Sequence, residues 1–366
     1  MTPPTDPVTA EYPRIYCPIP SAVHPEARRI EQRTVDWMRK RKFYSNESTR
    51  RKLEQANVGG LVARLFPYGT TAALEAISRL HCWGFAFDDE IEQVATHQLI
   101  TVADQHFGLV RMLDAPSSDA MDGPHASAFQ EICQTFRNLA TPAVFGRWAD
   151  LYRGFTLGAV WASIYRQAGA VPSMNTLTTI RQLDSGALAY GIGLIELAGG
   201  FELTSAQLAR PAVRTLTDIT AAILAWDNDI YSYRTEVQNS IDHINLVTAI
   251  SSHEACSPQQ ALTKALHMRN QAMRQYLHHR GALAAEDNLS HYLRGLDHQL
   301  RGNLDWGLAS RRYDTANRHQ LSTTLDTIDE VGAKSITPPC LPTIQWWWGA
   351  EKRTPRLHPS NEPTLD

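Results

Sequence analysis

The sequence predicts an all-α protein, one large domain of helices around a single buried core. Three observations carry that prediction. From about residue 25 onward, apolar residues recur at helical spacing and alternating strand patterns are few. Helix start and stop signals punctuate the chain throughout. No internal repeat or mid-chain linker divides the 366 residues, which are 43% hydrophobic and 20% charged, an ordinary globular balance.

The elements follow in order. Residues 1–25 are Pro-rich and read as an extended arm. Helices are predicted over 25–40, 47–65, 71–93, 96–113, 125–140, 142–169, 175–198, 205–238, 243–253, 258–282 and 286–312, with a loop at DAPSSDAMDGP (114–124). Gly199-Gly200 stops one helix and Thr204-Ser205 starts the next. Ser257 supplies an N-cap just before Pro258 at the first helical position. The helical domain is bounded at 26–330. The Pro-rich tail, 331–366, reads as partly disordered or packed on the surface; its Trp346-Trp347-Trp348 run suits an arm on the domain's own surface.

Charge excludes several classes of function. The net charge is -3 and the Lys and Arg residues are dispersed, so neither a nucleic-acid stripe nor a polybasic membrane anchor is present. No apolar run is long enough to span a bilayer, and MTPPTDPVTAEYPRIYCPIP lacks the regions of a signal peptide. A cytoplasmic protein is expected. Cysteines 17, 82, 133, 256 and 340 form no CxxC pair and read as reduced thiols.

Two helix ends break the apolar pattern. VRTLTDITAAILAW is followed directly by DNDIYSYRTE, and there Asn228, Ser232 and Glu236 stand at i, i+4 and i+8. At about 3.6 residues per turn these three share one stripe. They offer an amide oxygen, a hydroxyl and a carboxylate, hard ligands of the kind Mg²⁺ prefers. Upstream, HCWGFAFDDEIEQ (81–93) ends another apolar helix, with Asp88 and Glu92 on one face, Asp89 alongside, and Phe85 and His81 behind them. Charged helix ends are common, so DDxxE alone says little. Two such ends on different helices predict divalent ions between them, and ions so placed suit a diphosphate as leaving group.

At these residues the chain resembles a class I terpene synthase of the bacterial, single-domain type. DDEIE (88–92) is similar to the family's aspartate-rich motif, and NDIYSYRTE (228–236) matches its (N/D)Dxx(S/T)xxxE motif. NLDWGLASRRY (303–313) resembles its C-terminal pattern, and the likeness extends to CPIPSAVHPEA and HINLV (243–247). The resemblance implies a class I terpenoid synthase-like helical bundle with a central apolar cavity. It implies Asp88 as the main ligand of two Mg²⁺ ions, with Asp89 and Glu92 in support, and Asn228, Ser232 and Glu236 around a third. It implies that Arg312 and Tyr313 hydrogen-bond the diphosphate of a bound substrate. Arg181 would sense that diphosphate and Asp184 would link it to a helix break. Ser185 would turn a carbonyl to the reacting carbon, with Gly186 easing the break. A homodimer is suggested on the same ground.

The chemistry of the residues agrees with those roles. Guanidinium groups suit phosphate oxygens. Ionisation would leave an allylic cation, and aromatic faces attract cations by about 0.5–2 kcal/mol each. Phe85, one turn before Asp88, and Trp306, two turns before Tyr313, are the predicted pocket walls; plain core packing is the alternative for each. The chain departs from the family where Lys is frequent before the last Glu of the second motif, since it has Thr235 preceded by Arg234. It also has Ser185 where Gly is frequent, a change tolerable for a backbone role. No DxDD motif is present, which argues against cyclisation started by protonation. The function expected is Mg²⁺-dependent cyclisation of a prenyl diphosphate, farnesyl (C15) first and geranylgeranyl (C20) second. A chain-elongating prenyl diphosphate synthase and an inactive helical binding protein are the alternatives. No paired ExxH motif supports a di-metal oxidase.

Overall fold

The computed structural model describes residues 15–95, 98–115, 121–239, 244–283, 287–312, 325–326 and 341–349, with the backbone alone at 92–95, 234–235, 237–239, 287 and 325–326. Helices α1 (Ala27–Arg41), α2 (Glu47–Gln55), α3 (Val58–Leu65), α4 (Thr71–Ala95), α5 (Leu99–Asp114), α6 (Pro124–Leu139) and α7 (Pro142–Ala168) come first. Then follow α8 (Met174–Asp184), α9 (Ile195–Gly199), α10 (Ser205–Ala209), α11 (Pro211–Asn239), α12 (Leu246–His253), α13 (Pro258–Ala282) and α14 (Asp287–Ala309). The only strand pairing among the described residues is a two-residue parallel one, β1 (Ile15–Tyr16) with β2 (Leu325–Asp326).

Two helices organise the core. α11 is packed by α8, α12, α13 and α14, and its Leu216, Ile219, Ala222, Ile223 and Trp226 are buried on every side. An apolar stretch with no polar stripe folds stably only inside such a ring of neighbours. α4 is similarly enclosed by α1, α3 and α6, with Leu74, Ile77, Leu80 and Trp83 wholly buried. The predicted caps form: Ser257 and Thr204 each complete a reciprocal capping box, with Gln260 and Gln207, and Gly200 ends α9 in the left-handed region at φ 65°.

Four predicted helices differ in the structure, each for a local reason. The 47–65 span is two helices, because Asn57 turns left-handed at φ 53°. Beyond it α3 lies so close to α1 that a Cβ on Gly59 would come within 2.4 Å of the Glu31 nitrogen. The 175–198 span ends at Asp184; Gly186 at φ 78° opens a π-helical turn (187–191) and a 3-10 turn (192–194) before α9 resumes. The 205–238 span divides at Pro211, which lacks the N–H needed to continue a helix. The last predicted helix stops at Ala309, so Arg312 lies beyond its end.

The chain ends are more deeply anchored than their composition suggests. Ile15 and Cys17 are wholly buried within what reads as an arm. The Tyr16 N–H donates to Asn270 Oδ1 at 3.0 Å, and the Tyr16 carbonyl accepts from Arg269. Arg269 also forms a fully buried ion pair with Asp227 at 2.8 Å. Of the tryptophan run, expected in an arm on the domain's own surface, Trp347 is 0% exposed. Its Nε1 donates to Asp218 on α11 at 2.6 Å, and its carbonyl accepts from Gln275 and His279 on α13. Its neighbour Trp346 remains 39% exposed. Cys17, Cys82 and Cys133 are buried free thiols and Cys256 is partly buried; Cys340 lies outside the described residues.

Candidate active site

The C-terminal half of α4, the break after α8, α11 and α14 surround one cavity. Phe85, Asp88, Ser185, Gly186, Asn228 and Trp306 all line it. Its empty volume, open mouth included, is about 780 Å³, within the range of small-molecule sites. A hollow of about 850 Å³ lies near Phe66, Tyr68, His291 and His298. That one is at the start of α4, roughly 25 Å along the helix from Asp88 at 1.5 Å per residue. It contains no carboxylate, so the oxygen-rich chemistry belongs to the first cavity.

The α4 side of the mouth is acidic and loosely held. Asp88 keeps surface open to solvent, yet the protein surrounds its carboxyl enough that lost hydration pushes it up to about 6. Arg312 and Arg166 oppose that rise, and Asp89 and Asp184 add to it. Asp89 accepts from Arg312 Nη2 at 2.9 Å. The same guanidinium sits 4.1 Å from the centre of the Phe85 ring, and Phe85 stacks on Trp306 at 5.9 Å between centroids. Trp306 Nε1 donates to the Ala56 carbonyl at 2.9 Å, so its indole plane is fixed as a wall.

The α11 side is wired into the core. Arg181 donates from Nε to Asp229 Oδ1 at 2.8 Å, from Nη1 to Asp184 at 2.7 Å and from Nη2 to Asn228 Oδ1 at 2.9 Å. Burial works against the Arg181 charge, but Asp184, Asp229 and Glu236 outweigh it and hold the group firmly cationic. Burial raises Asp229 to about 7, with Glu236 adding to the rise, while Arg181 and the Leu246 N–H pull it down. Asn245 ties the motif from below: its amide donates to the Asp229 carbonyl and to Glu236 Oε2, each at 2.9 Å. The Ser232 hydroxyl donates to the Asn228 carbonyl one turn back at 2.9 Å, which leaves its oxygen lone pairs toward other partners.

The structure therefore brings Asp88, Asp89, Asn228, Arg181, Asp184, Ser185, Arg312, Phe85 and Trp306 around one mouth. Ser232 and Glu236 continue the Asn228 stripe down α11. Glu92 lies on α4 with its side chain outside the described residues, and Tyr313 lies outside them altogether. Sequence reasoning left Asp229, Asn245, Tyr190 and Gln299 without roles. Asn245 carried a faint signal in HINLV; Tyr190 and Gln299 line the cavity and carried none.

Do these residues suit a metal? Among the described residues no three His, Cys, Asp or Glu side chains converge on a point. The two banks instead combine carboxylates with an amide and a hydroxyl, all hard oxygen donors. Lost hydration is the main cause of the rise at Asp88, and Asp89 and Asp184 add a repulsion of the kind a divalent cation relieves. The donor chemistry fits.

A helical bundle around an apolar cavity, with oxygen donors from two helices at its mouth, defines a metal-dependent enzyme of the terpenoid-synthase class. The family model described as terpene synthase family 2, C-terminal metal binding, matches residues 79–275, over half of the chain and both helix ends, and the protein belongs to that family. It is accordingly a terpene synthase, and divalent metal use comes with that membership. It is 29% identical to bonnadiene synthase of Allokutzneria albata, over 92% of this chain and 97% of that one. It is also 29% identical to the 4-epi-cubebol synthase of Streptosporangium roseum, described as cyclising (2E,6E)-farnesyl diphosphate, over 84% of this chain and 93% of that one. Among solved structures, the SVS_A2 protein from ancestral sequence reconstruction superposes with a TM-score of 0.80 at 28% identity, covering 93% of this chain and 99% of that one. No helix among the described residues is long and apolar enough to cross a membrane.

Proposed function

We propose that the protein cyclises farnesyl diphosphate in a Mg²⁺-dependent reaction. One observation carries this reading: Asp88 and Asn228, from the two oxygen banks, line the same cavity as Phe85, Leu224 and Trp306. Diphosphate belongs at the mouth and the prenyl chain in the apolar interior. The farnesyl chain length is supported by the substrate in the cubebol synthase's name.

Asp88, Asp89 and Glu92 would hold Mg²⁺ on one side, and Asn228, Ser232 and Glu236 on the other, three ions in all. Those ions supply the positive charge that makes diphosphate a good leaving group. The chain's own residues do the rest. Arg181 is held in place by Asp229 and Asp184, ready to meet a diphosphate oxygen with little reorganisation. Arg312, with Tyr313 beside it in sequence, would close on the other side. The C–O bond then breaks and leaves an allylic cation. The carbonyl of Ser185, at the helix break, turns negative charge toward it. Phe85 and Trp306 present ring faces to the migrating charge, and the apolar wall keeps bulk water away.

The test is incubation of purified protein with Mg²⁺ and, separately, C10, C15 and C20 prenyl diphosphates, with EDTA controls and gas chromatography–mass spectrometry. A cyclic product from farnesyl diphosphate, lost with EDTA, is expected. A cyclic product from the C20 substrate alone would correct the chain length. A longer prenyl diphosphate formed only with isopentenyl diphosphate would replace the reading with chain elongation.

A further inference from the structure

The cavity wall contains polar atoms that the fold leaves without partners among the described residues. Gln299, on α14, is 0% exposed. Its Nε2 donates to the Leu65 carbonyl at 3.0 Å. A carbonyl can only accept, so that contact fixes which end of the amide is nitrogen. The oxygen must therefore point the other way, and Oε1 has no hydrogen-bond partner among the described residues. It points at Gly191: a Cβ built there would stand 2.6 Å from it. Gln299 and Gly191 both line the cavity, so the absent side chain leaves the oxygen room to face inward.

A second amide stands one turn further along the same helix. Asn303 also lines the cavity, and its buried Nδ2 has no partner among the described residues. Positions 299 and 303 are i and i+4, so the two amides share a face. An uncommitted acceptor and an uncommitted donor, side by side in a mostly apolar wall, make a site for one water molecule, which needs two to four polar partners.

We propose that Gln299 and Asn303 hold a single water in the cavity, and that this water ends the reaction, so the major product is a terpene alcohol. The proposal rests on the cyclase reading above. Asn303 Nδ2–H would donate to the water oxygen, and the water would give one hydrogen to Gln299 Oε1. One lone pair then remains to attack a carbocation. The water oxygen forms the new C–O bond with that lone pair. The resulting oxonium loses a proton, which ends on the released diphosphate, the base set free in the first step. No oxidant or further reactant is needed.

The experiment is turnover of farnesyl diphosphate with Mg²⁺ in ¹⁸O-enriched water, with products identified by mass spectrometry. The expected major product is an alcohol carrying one ¹⁸O atom. A hydrocarbon as the major product, free of ¹⁸O, overturns the water site and leaves the cyclase reading intact. No conversion of any prenyl diphosphate overturns the cyclase reading and this proposal with it. Gln299→Leu removes the acceptor, and Gly191→Ala crowds it while keeping the amide. Each is expected to cut the ratio of alcohol to hydrocarbon at least tenfold. Asn303→Leu should act in the same direction. An unchanged ratio in Gln299→Leu and Gly191→Ala overturns the assignment of the site to Gln299.

Discussion

The two banks of the active-site mouth are built differently. At the α11 end, Asn228 and Glu236 are each hydrogen-bonded to residues from other elements, and Asp229 beside them is gripped by Arg181 and by the Leu246 N–H. At the α4 end, Asp89 meets a partly exposed arginine, and Asp88 stands near Asp89 and Asp184. One bank is a strut of the fold that also borders the cavity. The other borders the cavity with little structural duty. Substitutions on the two sides should therefore separate stability from activity.

The largest effect is expected at Asp229. Replacing it with Ala removes a buried carboxylate from Arg181 and leaves the Leu246 N–H without its acceptor. Breaking a buried pair on one side costs roughly 3–5 kcal/mol. Urea unfolding should show that loss, and activity should vanish with it. A variant within about 1 kcal/mol of the wild type would mean that the α11 network bears no structural load.

The α4 side contains a pH liability of nearly that size, set back from the mouth. His106 on α5 packs edge-on against Phe87, the neighbour of Asp88, and both its ring nitrogens lack partners among the described residues. Burial pushes it down to about 4 from the ordinary 6.5. The unfolded chain therefore binds a proton near pH 6.5 that the folded one refuses until about pH 4. Stability from this group is complete above pH 6.5 and falls as pH drops toward 4. At 1.36 kcal/mol per pKa unit, that is roughly 3 kcal/mol across the window. His106→Leu should flatten the unfolding free energy between those limits by about that amount. Equal slopes in the two proteins would refute the buried neutral imidazole.

Asp88→Asn should behave oppositely to Asp229→Ala. Turnover of prenyl diphosphate should fall at least ~100-fold, about 3 kcal/mol of activation free energy. Stability should stay within about 1 kcal/mol of wild type, because no buried partner is orphaned. A large stability loss together with the lost turnover would erase the distinction between the banks.

What was legible in the sequence was local. Asn228, Ser232 and Glu236 announce themselves because their spacing is a property of one helix, and the same holds for Asp88 and Asp89 on α4. The partners that make the α11 bank rigid are not local. Asp229 and Arg181 are 48 positions apart, and Asn245, the cap of another helix, reaches Glu236. Glycines hid two further features, since one letter reports neither φ nor a neighbour. The break at Gly186, which the family resemblance implied, is invisible to periodicity, which reads a continuous helix, and Gly191 clears space for the Gln299 oxygen. The sequence places the tryptophan run in an arm on the domain but does not say which ring is buried; α11 and α13 supply the polar partners that let Trp347 be the one.

Of the substitutions at the mouth, Arg312 carries the smallest expected effect on activity, and it tests the comparison most finely. Its ion pair with Asp89 joins side chains 21% and 28% exposed, so solvent screening leaves it worth less than about 1 kcal/mol. The contact with Phe85 adds about 0.5–1 kcal/mol at such a site. Arg312→Ala should therefore unfold within about 1–2 kcal/mol of the wild type. Its KM for the prenyl diphosphate should rise roughly tenfold, the loss of one charge-assisted phosphate contact. Arg312→Lys separates charge from shape: a lysine keeps the positive charge and loses the planar fork. If lysine restores KM, a point charge suffices at this side of the mouth. If it does not, the fork that now spans Asp89 and the Phe85 face is what the diphosphate needs. A stability loss well beyond that range would make Arg312 a strut, and the α4 end would then be as much a part of the fold as the α11 end.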